Sequence, residues 1–133
     1  SGSGLTGTEA EIAARLQETL EASVERQLIA DVPVGSFLSG GIDSSLITAI
    51  ARKKYGAPVQ TFSIGFADKE FDESEYSDLA ARKLGTVHRN RTVDEPDLLV
   101  ELDAALDSLD EPLADPSIVP TYIVSKLAAE HVK

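Results

Sequence analysis

The sequence predicts an α/β domain: a parallel sheet of about three strands with flanking helices. Three observations predict it. Short runs rich in apolar and β-branched residues, at 34–38, 59–66 and 87–93, alternate with longer runs of helical period. The run at 59–66 is short and rich in apolar residues, with Val59, Phe62, Ile64 and Phe66, which suits a strand buried on both faces. Finally, a glycine turn joins the first strand directly to an amphipathic run, and alternation of strand and helix argues for right-handed crossovers between parallel strands. The second strand is then expected beside the first, and the third outside it.

Residues 8–29 read as a helix, because Ile12, Leu16, Leu20, Val24 and Leu28 recur every four residues as one apolar stripe. Thr8 with Glu11 three residues later is a capping box. Pro33 ends this region and forces extension before the first strand. The helix at 43–55 collects Arg52, Lys53 and Lys54 at its C-terminal end, where cations meet the negative end of the helix dipole, and Gly56 is a natural C-cap. In the helix at 73–84, Tyr76, Leu79, Ala80 and Leu84 are expected inward, with Asp72, Glu73 and Glu75 at its start and Gly85 as its stop. The strand at 87–93 is more polar and so belongs near a sheet edge. Residues 97–109 place Leu98, Leu102, Ala105, Leu106 and Leu109 on one helical face. Two prolines make 111–116 a loop, and 117–131 reads as a final helix.

With 133 residues and 42% apolar content the chain is long enough for one domain with a real core. Residues 1–7, opening Ser1-Gly2-Ser3-Gly4, read as an appended remnant or linker, and 8–133 as the domain. The chain contains no Met, which predicts a piece of something longer or a processed chain. It contains no Cys, so it has no disulfide framework and no thiol nucleophile of its own, in agreement with a cytoplasmic protein. No apolar run reaches the length of a membrane span, and no signal peptide is evident. A net charge of −11 disfavours nucleic acid and anionic membranes as partners. Nine carboxylates and no Lys or Arg fall between Asp94 and Asp115. Their spacing reads as a solvated helix face, since they do not recur at a tight ligand spacing.

The chemistry concentrates in Ser39-Gly40-Gly41-Ile42-Asp43-Ser44-Ser45. Strand, glycine turn and helix together present backbone N–H groups to a phosphate. Gly40 and Gly41 let the backbone turn sharply and approach an anion, while Ser39, Ser44 and Ser45 add hydroxyl donors beside the positive end of the helix dipole. A carboxylate beside phosphates is repelled unless a cation stands between them, so Asp43 reads as a Mg²⁺ ligand. The plainer alternative has Asp43 capping the helix, but a cap requires neither two glycines nor three serines. No lysine follows the glycines, which excludes a Walker A loop, and the pattern is not Gly-x-Gly-x-x-Gly.

Ser-Gly-Gly-x-Asp-Ser resembles the pyrophosphate (PP) loop of the ATP pyrophosphatase superfamily. Asp31-Val32-Pro33-Val34-Gly35, Phe62-Ser63-Ile64-Gly65-Phe66, Leu84-Gly85-Thr86-Val87-His88, Asp110-Glu111-Pro112-Leu113-Ala114-Asp115-Pro116-Ser117 and Pro120-Thr121-Tyr122 extend the match. Together they resemble the synthetase domain of glutamine-dependent asparagine synthetases, over residues 9–133. The resemblance implies a partial Rossmann-like sheet of the adenine nucleotide alpha hydrolase-like type, whose next strand would follow Lys133. It implies ATP and Mg²⁺ as cofactors, with Ser39, Gly40, Gly41, Ser44 and Ser45 on the pyrophosphate, Asp43 on the metal, and Ser39 and Asp43 as the catalytic pair. Leu38, Ile64 and Gly65 would line the adenine and ribose pocket, though plain core packing is the other reading of Leu38 and Ile64.

The implied reaction adenylates the aspartate side chain, releasing pyrophosphate, before ammonia displaces AMP. Aspartate and ammonia would be the other small-molecule partners, and the glutaminase domain of a longer protein the macromolecular one. The family's nucleophilic cysteine is not in this chain, and its second glycine- and acid-rich segment would lie beyond Lys133, so the isolated chain is expected to be incomplete for catalysis. A related PP-loop amidotransferase, a β-lactam synthetase-like enzyme with another acceptor, and a non-catalytic nucleotide-binding fragment remain as alternatives. His88 reads as a satisfied or surface histidine, and Tyr122 and Asp115 as residues bordering the acceptor pocket. The first strand would be a bare edge in this chain alone, so the chain is expected to cover that edge as a homodimer or by exchanging elements, or else to stick.

Overall fold

In the computed structural model, which describes residues 6–55, 58–111 and 114–132, three strands form one parallel sheet. These are β1 (Gly35–Phe37), β2 (Gln60–Phe66) and β3 (Val87–Val93), in the order β1-β2-β3. Phe37 stands opposite Phe62, and Thr61 opposite His88. Five helices are described: α1 (Glu9–Gln27), α2 (Ile42–Tyr55), α3 (Ser74–Leu84), α4 (Glu95–Asp107) and α5 (Ile118–Ala129). The class, the parallel pairing, the strand order and the polar edge position of β3 agree with the sequence reading, and the architecture is consistent with a Rossmann-like fold.

Successive residues of β2 face opposite sides of the sheet. Phe62 packs with Val124 and Ala128 of α5, and the ring of His131 stacks 5.9 Å from the Phe62 ring at 6°. Val59, just before β2, meets α1 and α2 through Val24, Ile50 and Ala51 on the other face. The two edges of that cluster are tied by Glu21 of α1, which lies 3.3 Å from both Lys53 and Lys54 of α2. On the α5 side, α4 packs beside α5, and Lys126 bonds Glu101 at 2.7 Å while lying 5.6 Å from the centre of the Tyr122 ring. Among the described residues no helix is long and apolar enough to cross a membrane.

Several local signals act as expected. Thr8 and Glu11 form a reciprocal capping box, and Gly85 ends α3 in the left-handed conformation at φ 64°. Other expectations are corrected. β1 spans three residues rather than five, because its ladder with β2 begins only at Gly35. Only the C-terminal half of the α1 stripe is covered: Val24 is buried, whereas Leu16 is 58% exposed. In α3, Tyr76 and Leu79 are 65% and 45% exposed, and Ser77 and Ala81 face the sheet instead. The layer beneath α3 carries Ser63 and His88, so a hydroxyl serves there better than a large apolar side chain. The fourth helix starts two residues earlier than expected, because Asp94 forms a second capping box with Asp97. Gly56, expected as a C-cap, and Pro112 and Leu113 of the proline loop lie outside the described residues.

Candidate functional site

The chain leaves β1 at Phe37, and the Leu38 N–H donates to the Phe62 carbonyl at 2.9 Å. This extends the ladder by one bond and buries Leu38 completely. Gly40 then turns the chain at φ 85°. A Cβ at that position would stand 2.5 Å from the Tyr76 carbonyl carbon and 2.6 Å from the Ser77 nitrogen. The loop backbone therefore rests directly on the first turns of α3, and only glycine fits. Gly41 plays a different part: a Cβ there would meet only the Ser39 hydroxyl, at 3.4 Å, so its missing side chain keeps that flank of the loop open.

The loop is bonded to itself. Ser39 Oγ and Ser44 Oγ lie 2.9 Å apart, Ser44 Oγ donates to the Gly41 carbonyl at 3.3 Å, and the Gly41 N–H points to Ser39 Oγ at 3.4 Å. The Ser45 N–H donates to the Gly41 carbonyl at 3.1 Å, which opens α2. Two hydroxyls and the first amides of a fourteen-residue helix thus gather at one end of the sheet, an arrangement suited to an anion. Asp43 is the second residue of α2 and is exposed. Among the described residues no hydrogen bond or ion pair engages its carboxylate, so the capping alternative finds no support. No three His, Cys, Asp or Glu side chains converge among the described residues. A lone free carboxylate beside a phosphate loop nonetheless suits Mg²⁺, which is commonly held by one or two carboxylates plus substrate phosphates and water.

Beside the loop, a cavity of about 290 Å³ opens at the carboxyl ends of β1 and β2. Leu38, Ser39, Phe62 and Ile64 line it from the sheet, and Pro120 and Val124 from α5. Phe71 and Glu73, from the segment between β2 and α3, complete the wall. The Phe62 carbonyl points toward β1, as its bond from Leu38 shows. The alternation of a strand turns the main-chain N–H and carbonyl of Ile64 the same way, past the last β1 pair. An apolar hollow with a donor and an acceptor on one strand edge is suited to a planar heterocycle.

The structure brings Leu38, Ser39, Gly40, Gly41, Ser44, Ser45 and Ile64 to one end of the sheet. Gly65 lies behind the cavity wall, its missing Cβ leaving room for Asp72 Oδ1, which would be only 2.8 Å away. Tyr122 and Asp115 line a separate hollow of about 480 Å³, with Thr121 bordering both. His88 is held inside: Nδ1 lies 2.9 Å from Thr61 Oγ1 and Nε2 3.2 Å from Ser63 Oγ. Burial lowers its pKa against the opposing pull of Asp78. Sequence reasoning missed the α5 residues of the cavity, which look like ordinary helix core. It also missed the reach of Asp72, whose only local signal is the Asp-x-Ser spacing of a helix start.

Fold and site define an α/β domain with a serine- and glycine-rich loop beside an apolar cavity. The family model described as asparagine synthase matches residues 15–133, and the chain belongs to the asparagine synthase family. It is 38% identical over 117 residues to asparagine synthetase [glutamine-hydrolyzing] 1 of Bacillus subtilis (strain 168), covering 88% of this chain and 18% of that protein. It is 40% identical over 114 residues to a putative asparagine synthetase [glutamine-hydrolyzing] of Mycobacterium bovis, covering 86% of this chain and 17% of that protein. Asparagine synthetase B [glutamine-hydrolyzing] of Escherichia coli (strain K12) is 37% identical over 87 residues, covering 55% of this chain and 15% of that protein. The chain thus spans less than a fifth of the length of these relatives.

Proposed function

We propose that this chain is the nucleotide-binding part of an ATP-dependent amide ligase that adenylates the side-chain carboxylate of aspartate and passes it to ammonia. One observation carries the reading: Ser39 belongs both to the anion loop and to the wall of the apolar cavity. An adenosine in the cavity would therefore leave its phosphates over Gly40, Gly41, Ser44 and Ser45. The names of the relatives supply the acceptor and the glutamine-derived nitrogen.

In this reading the Ile64 main-chain edge receives the adenine, and Leu38 and Phe62 exclude water from its faces. Ser39, Ser44 and the first α2 amides give up their mutual bonds for phosphate oxygens. Asp43 would hold Mg²⁺, which supplies charge neutralisation for the leaving pyrophosphate. The aspartate carboxylate attacks the α-phosphorus; the bond to the bridging oxygen breaks, and pyrophosphate leaves with its electron pair. Ammonia then attacks the acyl carbon, AMP departs, and a proton is released. The protein's contribution is positioning and electrostatics, as in related phosphoryl transfers. The chain alone is expected to bind rather than to turn over, because it spans so little of its relatives' length.

The test is calorimetric titration with ATP and Mg²⁺ of the wild type and of Asp43→Ala. Among the described residues the Asp43 carboxylate makes no hydrogen bond or ion pair, so the variant should keep its stability. It should lose the Mg²⁺ dependence of binding, with affinity down at least about tenfold, roughly one charge-assisted contact. Equal, Mg²⁺-independent binding by both proteins would remove the metal role from Asp43. No binding by folded wild type would sink the nucleotide reading for this chain.

A further inference from the structure

Asp72 is half-buried between β2 and α3, and its carboxylate accepts three hydrogen bonds. Oδ1 accepts from the Phe66 N–H and the Ser74 N–H, both at 3.1 Å, and Oδ2 accepts from Ser74 Oγ at 2.8 Å. The hydroxyl and amide of Ser74, then the amide of Phe66, hold its carboxyl below the usual carboxylate range.

The geometry of these bonds ties Asp72 to the cavity. Phe62, Ile64 and Phe66 turn their main-chain groups to the same side of β2. Phe62 is satisfied by β1, and Phe66 by Asp72, so the Ile64 position lies between two anchored neighbours. Glu73, the residue preceding α3, makes no side-chain cap bond, so the Ser74 amide depends on Asp72. Phe71 and Glu73, on either side of Asp72, both line the cavity. Gly65 allows this approach, since a Cβ there would come within 2.8 Å of Oδ1 and 3.1 Å of the Ser74 Cβ.

We propose that Asp72 is a positioning residue for the nucleoside end of the site: it closes the open edge of β2 at Phe66, starts α3 at Ser74, and so fixes the Ile64 edge and the Phe71–Glu73 wall against which a purine would rest. The inference rests on the proposed function and goes beyond it, because it separates the control of the nucleoside end from that of the pyrophosphate end. The loop at Gly40 rests on Tyr76 and Ser77, and that turn of α3 has its own tie to the sheet in the Ser63–Ser77 pair at 3.3 Å, so among the described residues the loop is seated without a direct bond to Asp72.

The experiment is calorimetric titration of the whole chain with AMP and, separately, with pyrophosphate and Mg²⁺. Wild type, Asp72→Ala and Asp72→Asn are compared, with thermal unfolding of each. Asp72→Ala should weaken AMP about tenfold and pyrophosphate less than about twofold. Asp72→Asn, whose amide oxygen can still accept from Phe66 and Ser74, should recover most of the AMP affinity. Should Asp72→Ala not fold, Asp72→Asn beside Ser74→Ala gives the same comparison, with Ser74→Ala losing AMP affinity selectively. Equal losses for the two ligands, tracking the fall in stability, would reduce Asp72 to a structural residue and overturn the inference. Unchanged AMP affinity in Asp72→Ala would overturn it alone. A folded wild type that binds neither ligand would overturn both this inference and the proposed function.

Discussion

On the side of the sheet that meets α2 and α3, hydroxyl pairs join the strands to their surroundings beyond the apolar cluster around Val59; on the side that meets α5, hydrocarbon alone makes the layer around Phe62. Ser36 and Thr48 pair at 3.1 Å, Thr61 and Thr86 at 2.9 Å, and Ser63 and Ser77 at 3.3 Å. The facing layer is Phe62, Ile64, Val124, Leu127 and Ala128. The difference is one of directionality. A hydroxyl pair works at one separation and orientation, contributing about 1 kcal/mol when made and costing about 1–3 kcal/mol when a buried partner is lost. It therefore fixes where the first turns of α3 lie, and the loop at Gly40 rests on those turns. Apolar packing rewards area without direction. It holds α5 firmly yet leaves an apolar hollow where the strands end. One sheet thus carries a serine- and glycine-rich loop seated on α3 on one side and an apolar cavity on the other, with Ser39 common to both.

The comparison can be broken most severely on the apolar side. Phe62 is fully buried and forms both the α5 interface and the cavity wall. Phe62→Ala should cost about 3–5 kcal/mol in chemical denaturation. A loss below about 1 kcal/mol would mean that α5 does not rely on this layer. On the hydroxyl side, Gly40→Ala forces a Cβ into the α3 backbone at φ 85°. It should cost about 1–3 kcal/mol and abolish pyrophosphate binding in calorimetry; an unaltered affinity would show that the loop is not seated on α3.

The smallest effect is a pH dependence that belongs to the hydroxyl side alone. His88 is packed against Thr61 and Ser63, with Asp78 at 3.7 Å. Its pKa is lowered by burial, so the unfolded chain takes up the proton first, near the ordinary value of about 6.5. The contribution of neutral His88 is then complete above that pH and is lost as pH falls from there toward the folded value, with a slope of at most about 1.4 kcal/mol per pH unit. Denaturation of the wild type and His88→Gln across pH 5–8 measures it. The slope should be present in the first and absent from the second; identical profiles would assign the titration elsewhere.

The elements that could be read in advance share a property: their signals lie within a few residues of one another. Thr8 and Glu11 cap α1, Gly85 stops α3, and the loop from Ser39 to Ser45 is contiguous. The apolar residues of β2, Phe62, Ile64 and Phe66, announced a buried strand. What failed depended on the chemistry of the opposite layer. Tyr76 and Leu79 look like the inward face of α3 until Ser63 and His88 are found beneath it, when Ser77 becomes the residue that fits. Asp72 read only as an acid at a helix start, because its bond to Phe66 runs back across a turn to the end of the preceding strand.

The sequence by itself determined the alternation of strands and helices, their parallel order and the place of the glycine- and serine-rich turn, because backbone propensity, side-chain period and glycine chemistry act locally. Only the tertiary structure decided which face of the sheet would carry the hydroxyl pairs, that Pro120 and Val124 would close a cavity begun by Leu38 and Ile64, and that Gly40 would lie on α3. Those outcomes depend on which surfaces meet. A side chain's role there is set by the hydrogen-bonding capacity and volume of neighbours distant in the chain.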